Sequence, residues 1–155
     1  GVPMGGDLAK APAGKAPTFL VAALKDPAGA NLDRIQIVKA WVDATGKGQE
    51  KVYDVAWSGN RRPGANGKLP PVGDTVDVAT ATWTNTIGAT ELATVWKDPD
   101  FKPDQRALYY ARVIEIPTPR WTAYDQLRFG VKMSKEVPMK HQERAWTSPI
   151  WYAPS

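Results

Sequence analysis

Apolar and polar residues alternate with a period of two along much of the chain. The clearest run is residues 32–44, LDRIQIVKAWVDA. Leu32, Arg34, Gln36, Val38, Ala40 and Val42 fall on one face, and Ile35, Ile37, Lys39 and Trp41 mainly on the other. Period two with β-branched and aromatic residues predicts a strand. TGKGQ then makes a hairpin-like turn, and EKVYDVAWS returns. TFLVAALKD and TELATVWKD are shorter strand-length runs, and TVDVATATWTNT alternates Val76, Val78, Thr80 and Thr82 against Asp77, Ala79, Ala81 and Trp83. RALYYARVIEI, residues 106–116, is the most apolar and reads as a strand buried on both faces. Breaker-rich segments separate these runs: PAGAN, GNRRPGANGKLPPVGD and PDFKPDQ.

The two ends and residues 117–143 carry weaker patterns. GVPMGGDLAKAPAGKAP reads as an extended lead-in. Residues 117–143 read as irregular, with RFGVKM a short extended piece, and RAWTSPIWYAPS reads as an edge strand carrying Pro149. No stretch shows convincing helical amphipathicity. Short strands, regular turns and no helix predict an all-β fold: an antiparallel, immunoglobulin-like β-sandwich with long irregular loops, as one domain over residues 1–155.

Composition narrows the function classes. The 155 residues suffice for one domain with its own core, and 43% hydrophobic with 23% charged residues is a globular profile. Thirteen Gly and 14 Pro fit many turns, while seven Trp call for flat side chains between sheets or at a ligand surface. The net charge of +4 is scattered, and Arg61–Arg62 is the only adjacent basic pair. A nucleic-acid partner is therefore not expected, since it would show a basic stripe. The chain lacks cysteine, which excludes disulfides and thiolate chemistry. No apolar run approaches the ~20 residues of a membrane-spanning helix. The start has no signal-peptide pattern and no initiator Met.

Catalytic groups are sparse. His141 is the single histidine, in the polar stretch MKHQER, so a His-rich metal site cannot form from this chain. In DPDFKPD, Asp98 and Asp100 match the opening of a calcium loop. Lys102, Pro103 and Tyr109 then stand where that loop needs a ligand, a glycine and a glutamate. GANGKLP lacks the spacing and Ser/Thr of a phosphate loop. Ser58, Ser134 and Ser148 have no nucleophile-elbow context. No residue is nominated as catalytic and none as a metal ligand.

One segment reads as recognition. Pro117 and Pro119 stiffen the chain after the apolar strand. Arg120 offers a planar fork for a carboxylate or phosphate, Trp121 and Tyr124 add flat faces, and Asp125 completes the candidate contact set. The alternative is structural: Arg120 pairing with Asp125 or Glu115, and Trp121 capping the core.

The same residues carry a resemblance. YYARVIEIPTPRWTAYD, GVPMGGDL, NLDRIQIVKAWVD, EKVYDVAWSG, TNTIG with ELATVWKDPDF, and RAWTSPIWY occur in the order of the C-terminal part of a bacterial family, domain of unknown function 3604. The chain resembles it over essentially its whole length. That family is similar to metal-dependent hydrolases of the PHP (polymerase and histidinol phosphatase) superfamily. The resemblance implies metal-assisted hydrolysis, of phosphoester type, by a β/α barrel whose His, Asp and Glu ligands lie upstream and match no position here. It also implies a C-terminal fragment, export to the periplasm or beyond, no cofactor in this chain, and a divalent metal in the absent catalytic domain.

The expected function is then a non-catalytic accessory domain that packs on the catalytic domain of its own parent chain. Arg120, Trp121, Tyr124 and Asp125 would contribute to the pocket wall. Cut free, such a domain should expose an apolar patch, with Trp146, Ile150, Trp151, Val2 and Met4 as candidates, and the patch invites pairing with a second copy. Two rivals stand beside this reading: a carbohydrate-binding module using exposed indoles, and a purely structural interaction domain.

Overall fold

The computed structural model describes residues 1–9, 11, 12 and 14–154; Lys10 and Ala13 of the lead-in and the terminal Ser155 lie outside them. Two hydrogen-bonded layers face each other. The larger sheet has six strands: β1 (Asp7–Ala9), β3 (Leu32–Val42), β4 (Gly48–Trp57), β6 (Ala107–Glu115), β9 (Arg144–Trp146) and β10 (Ile150–Ala153). Its order is β1-β10-β6-β3-β4, with β9 pairing β6 beside β10. All neighbours are antiparallel except β1 and β10. The second layer is the antiparallel pair β2 (Thr18–Leu24) and β5 (Glu91–Lys97). This is the all-β, sandwich-like fold that the alternation predicts.

Alternation explains the core. On β3, Ile37 turns inward and Lys39 is also buried; on β6, Ala107 and Tyr109 do the same, and Tyr152 joins them from β10. Phe19 of β2 stacks 4.7 Å from the Tyr109 ring, and Trp96 of β5 packs against both Phe19 and Tyr53. Aromatic residues thus fill the inter-sheet space, where each buries a large area. Between β3 and β4, Asp43 closes the hairpin by accepting hydrogen bonds from the Thr45 and Lys47 amides, the Thr45 hydroxyl and the Gln49 amide. These donors stabilise its charged form and lower its pKa to about 2.

Four expectations require correction. Residues 75–86 do not form a strand: Asp77 and Thr82 make an isolated bridge around a tight turn, with Ala81 at φ 49°. The Asp77 carboxylate accepts the Ala79 amide hydrogen bond, so local side-chain capping wins over the alternating pattern. The C-terminal run is two strands broken at Pro149, both on β6, and β1 covers the outer side of β10. β6 is buried mainly along one face, at Ala107, Tyr109 and Ala111, while its other face is half-buried except at Ile114, which is buried.

The fourth correction is a helix, α1 (Trp121–Phe129), in the segment read as irregular. Its N-cap is Arg120, in extended conformation with no side-chain cap, and it ends on Gly130 in the left-handed region at φ 64°. RFGVKM accordingly begins in the helix and is not an extended piece. Just before α1, β7 (Thr118–Pro119) pairs with β8 (Lys140–His141) as a separate two-stranded ribbon. No helix of the described residues is long and apolar enough to cross a membrane.

Candidate functional site

Near the start of β6, the acidic DPDFKPD stretch is consumed by structure. Lys39 and Asp98 form a buried ion pair at 2.6 Å, and the Tyr109 hydroxyl donates to the same carboxylate oxygen at 2.7 Å. Lys39 also donates to the Asp100 carbonyl, and Asp98 accepts from the Asp100 amide. Burial and the adjacent Asp98 carboxylate hold the Tyr109 hydroxyl protonated far beyond its ordinary range. Asp100 accepts from Lys51 and Tyr53, which lower its pKa. These groups lock the layers together, and Asp98 and Asp100 are both engaged in doing so.

A second buried network lies at the other end of β3. Asp33 is fully buried and accepts from Arg34 Nη1 at 2.5 Å and Gln142 Nε2 at 2.9 Å. Arg61 Nη2 makes an ion contact with its other oxygen at 2.7 Å and donates to the Asp33 carbonyl. Arg61 of the basic pair is therefore an internal clamp that organises the breaker-rich loop. Gln142 also donates to the Glu115 carbonyl, tying this network to the end of β6.

Immediately beyond Glu115 lies an open cleft of about 420 Å³. Trp83, Glu115, Thr118, Pro119, Trp121, Tyr124, His141 and Glu143 line it, with Gly29 and Ala30 behind. Four distant segments converge there, and their placement has clear causes. The Glu115 amide donates to the Glu143 carbonyl, and the Arg120 amide donates to the Met139 carbonyl. The Thr122 hydroxyl donates to the Pro138 carbonyl at 2.6 Å, fixing the start of α1. Asn31 joins the 29–31 loop to the loop after Trp83 through three hydrogen bonds with Asn85 and Ile87. Gly88 makes that approach feasible. Its φ is +82°, and an added Cβ would stand 2.6 Å from Asn31 Cβ and 2.7 Å from Ile116 Cγ2.

The electrostatics of the cleft are negative. His141 Nε2 lies 2.6 Å from Glu143 Oε1, as donor to a carboxylate. Glu115 is half-buried, and its pKa is raised by burial first and by the Glu143 and Asp26 carboxylates next, with Lys25 opposing. Lys25 donates to the backbone carbonyls of Asp26, Pro27 and Gly29, and it makes no ion pair with Glu115. Lys140 pairs with Asp74. Among the described residues, no group of three or more His, Asp or Glu side chains is placed to hold a metal, so Glu115, His141 and Glu143 do not make a metal centre.

Of the four residues nominated from sequence, Trp121 and Tyr124 stand on the cleft. Arg120 and Asp125 do not line it. Arg120 pairs with neither Asp125 nor Glu115, and Trp121 is 60% exposed and so does not cap the core. Glu115, Glu143, Trp83 and His141 were not nominated, because only the fold brings residues 83, 115–124 and 141–143 together. The lone histidine in a polar stretch was the one available signal.

Comparison with known proteins gives one result. A search of curated proteins and a search of solved structures each find no match. The model of the family described as "Protein of unknown function (DUF3604)" matches residues 1–154, nearly the entire chain. On that match, the chain belongs to the DUF3604 family.

Proposed function

We propose that this domain is a non-catalytic accessory unit of a PHP-like, metal-dependent phosphoesterase-type hydrolase. It would dock on the catalytic domain of its parent chain and contribute to the pocket wall. The observation that carries the reading is apolar surface outside the core on two faces. On the outer side of the β2–β5 layer, Leu20 (79% exposed), Val95 and Leu24 form a ridge. On the outer side of the larger sheet, Trp146 (59%) and Trp151 stand in solvent. Met4 is also exposed, while Ile150 is half-buried against the core. Patches of this kind mark surfaces that meet another protein body.

The pocket-wall role falls to Arg120, Trp121, Tyr124 and Asp125 at the start of α1, of which Trp121 and Tyr124 line the open cleft. The absent barrel would supply the metal and the activated water; the donor set of the described residues does not fit that metal.

The test compares hydrolysis of an aryl phosphodiester, with added manganese, by the full-length parent and by the 155-residue chain. Turnover by the parent alone supports the reading, and turnover by the chain alone overturns it. Within the parent, Arg120→Ala with unchanged kcat/KM would remove the pocket-wall role while leaving docking intact.

A further inference from the structure

We propose that the cleft between α1 and the β7–β8 ribbon binds an organic ammonium cation, with Trp83, Trp121 and Tyr124 supplying aromatic faces and Glu115 the countercharge. The site is on this chain alone and does not depend on the accessory-domain reading.

The lining chemistry selects the ligand. Three aromatic side chains share one cleft with two carboxylates, and aromatic faces attract cations through the ring quadrupole. Glu115 lies half-buried near Glu143 and Asp26, with no ion-pair partner among the described residues. A half-buried carboxylate facing other carboxylates is an incompletely compensated charge, and a cation in the cleft completes the compensation. The nearby Lys25 offsets part of that charge at a distance, but its ammonium group donates to three backbone carbonyls and makes no direct ion pair with Glu115. Lys140, the other lysine beside the ribbon, is paired with Asp74.

An alkylammonium group fits better than the alternatives. An anion would face Glu115 and Glu143. A neutral sugar would find donors in the Tyr124 hydroxyl and the indole N–H groups as well as the carboxylate acceptors, but it would leave the Glu115 charge unmatched. A bare metal ion would find no set of three ligands. At about 420 Å³ the cleft exceeds a trimethylammonium head, leaving room for the group that carries it.

The test is titration of the 155-residue chain with choline and, separately, with 3,3-dimethylbutan-1-ol, its uncharged isostere, followed by NMR of the indole N–H signals. Choline should shift the Trp83 and Trp121 signals saturably in the millimolar range, and the isostere should bind about tenfold more weakly. Glu115→Gln and Trp121→Ala should each weaken choline about tenfold, and Glu115→Gln should leave the isostere unchanged. Trp121 is exposed and the Gln substitution is isosteric, so both variants should fold, which circular dichroism verifies. Equal affinity for choline and isostere would overturn the proposal, as would no saturable shift up to ~0.1 M choline. An unchanged choline affinity in Glu115→Gln would overturn it too. So would saturation by a neutral oligosaccharide such as maltohexaose in preference to choline.

Discussion

Asp98 and Glu115 are carboxylates near opposite ends of the same strand pair, and they are treated in opposite ways. Asp98, beside the start of β6, is fully enclosed and receives Lys39, Tyr109 and the Asp100 amide. Glu115, at the end of β6, faces an open aromatic cleft with other carboxylates nearby and no paired cation. The first arrangement is complete and serves the fold. The second is incomplete in charge, which is what separates a ligand-facing group from a structural one.

The comparison breaks most visibly at Asp98. Asp98→Ala leaves the Lys39 ammonium buried without its counterion and should destabilise the domain by about 3–5 kcal/mol. Urea unfolding measures it. The double variant Lys39→Met with Asp98→Leu should recover much of that loss, because no uncompensated charge remains. If the single and double variants were equally unstable, the pair would matter for packing rather than charge.

A somewhat smaller effect is expected at Gly88, which shapes the floor behind the cleft. Gly88→Ala must hold a left-handed φ and press its Cβ into Asn31 and Ile116. Strain and overpacking together should cost about 2–4 kcal/mol. The Asn31 to Asn85 hydrogen bonds should loosen, and faster amide exchange at Asn31 would report it. A thermal midpoint equal to that of the parent protein would mean the loop yields without loss.

Legibility in the sequence follows the same division. Period-two alternation located β3, β4 and β6 because strand side chains point to alternate faces, although burial does not follow it strictly: β3 is buried at every position from Ile35 to Lys39. Helix α1 was hidden because its buried residues are the small Thr122 and Ala123, while Trp121, Leu127 and Phe129 are exposed. The apolar stripe that marks an ordinary surface helix is inverted there. The available signals were Pro119 before the start and Gly130 after the end. The bridge at Asp77 and Thr82 was misread because alternation cannot see a side chain capping its own turn. Trp121 and Tyr124 were readable as candidates from their own neighbourhood. Glu115 was not, since its significance depends on Glu143 and Asp26 approaching through the fold.

At Glu115 the sign of the pH dependence can be worked out. Its folded-state pKa is raised above the ordinary value of 4.5, by burial and by Glu143 and Asp26 against Lys25, with His141 also lining the cleft. Between 4.5 and the raised value the folded state holds more proton than the unfolded state. The stability contributed by protonated Glu115 is full below 4.5 and is lost as pH rises through the raised pKa. Glu115→Gln should flatten that fall, seen as a weaker pH dependence of the urea midpoint above 4.5. An unchanged pH profile would place Glu115 in ordinary solvent and weaken its contrast with Asp98.

The smallest effect is expected next door to Lys39, at the same acidic loop. Lys51 pairs with Asp100 at 2.5 Å, as short as the buried pair, but about half of each side chain is in solvent. Water screens the attraction and the lysine loses rotamer freedom by pairing, so distance is a poor guide to strength here. Lys51→Ala should cost at most about 1 kcal/mol, and less in high salt. Lys51 and Tyr53 depress the Asp100 pKa, so their small contribution is present at neutral pH and disappears as pH falls through the depressed value. Measured side by side, Asp98→Ala and Lys51→Ala compare an enclosed and a half-exposed lysine–aspartate pair of nearly equal length, with Asp98→Ala also removing the acceptor of the Tyr109 hydroxyl and the Asp100 amide. A loss of several kcal/mol from Lys51→Ala would mean that geometry, and not enclosure, gives the Lys39 pair its weight.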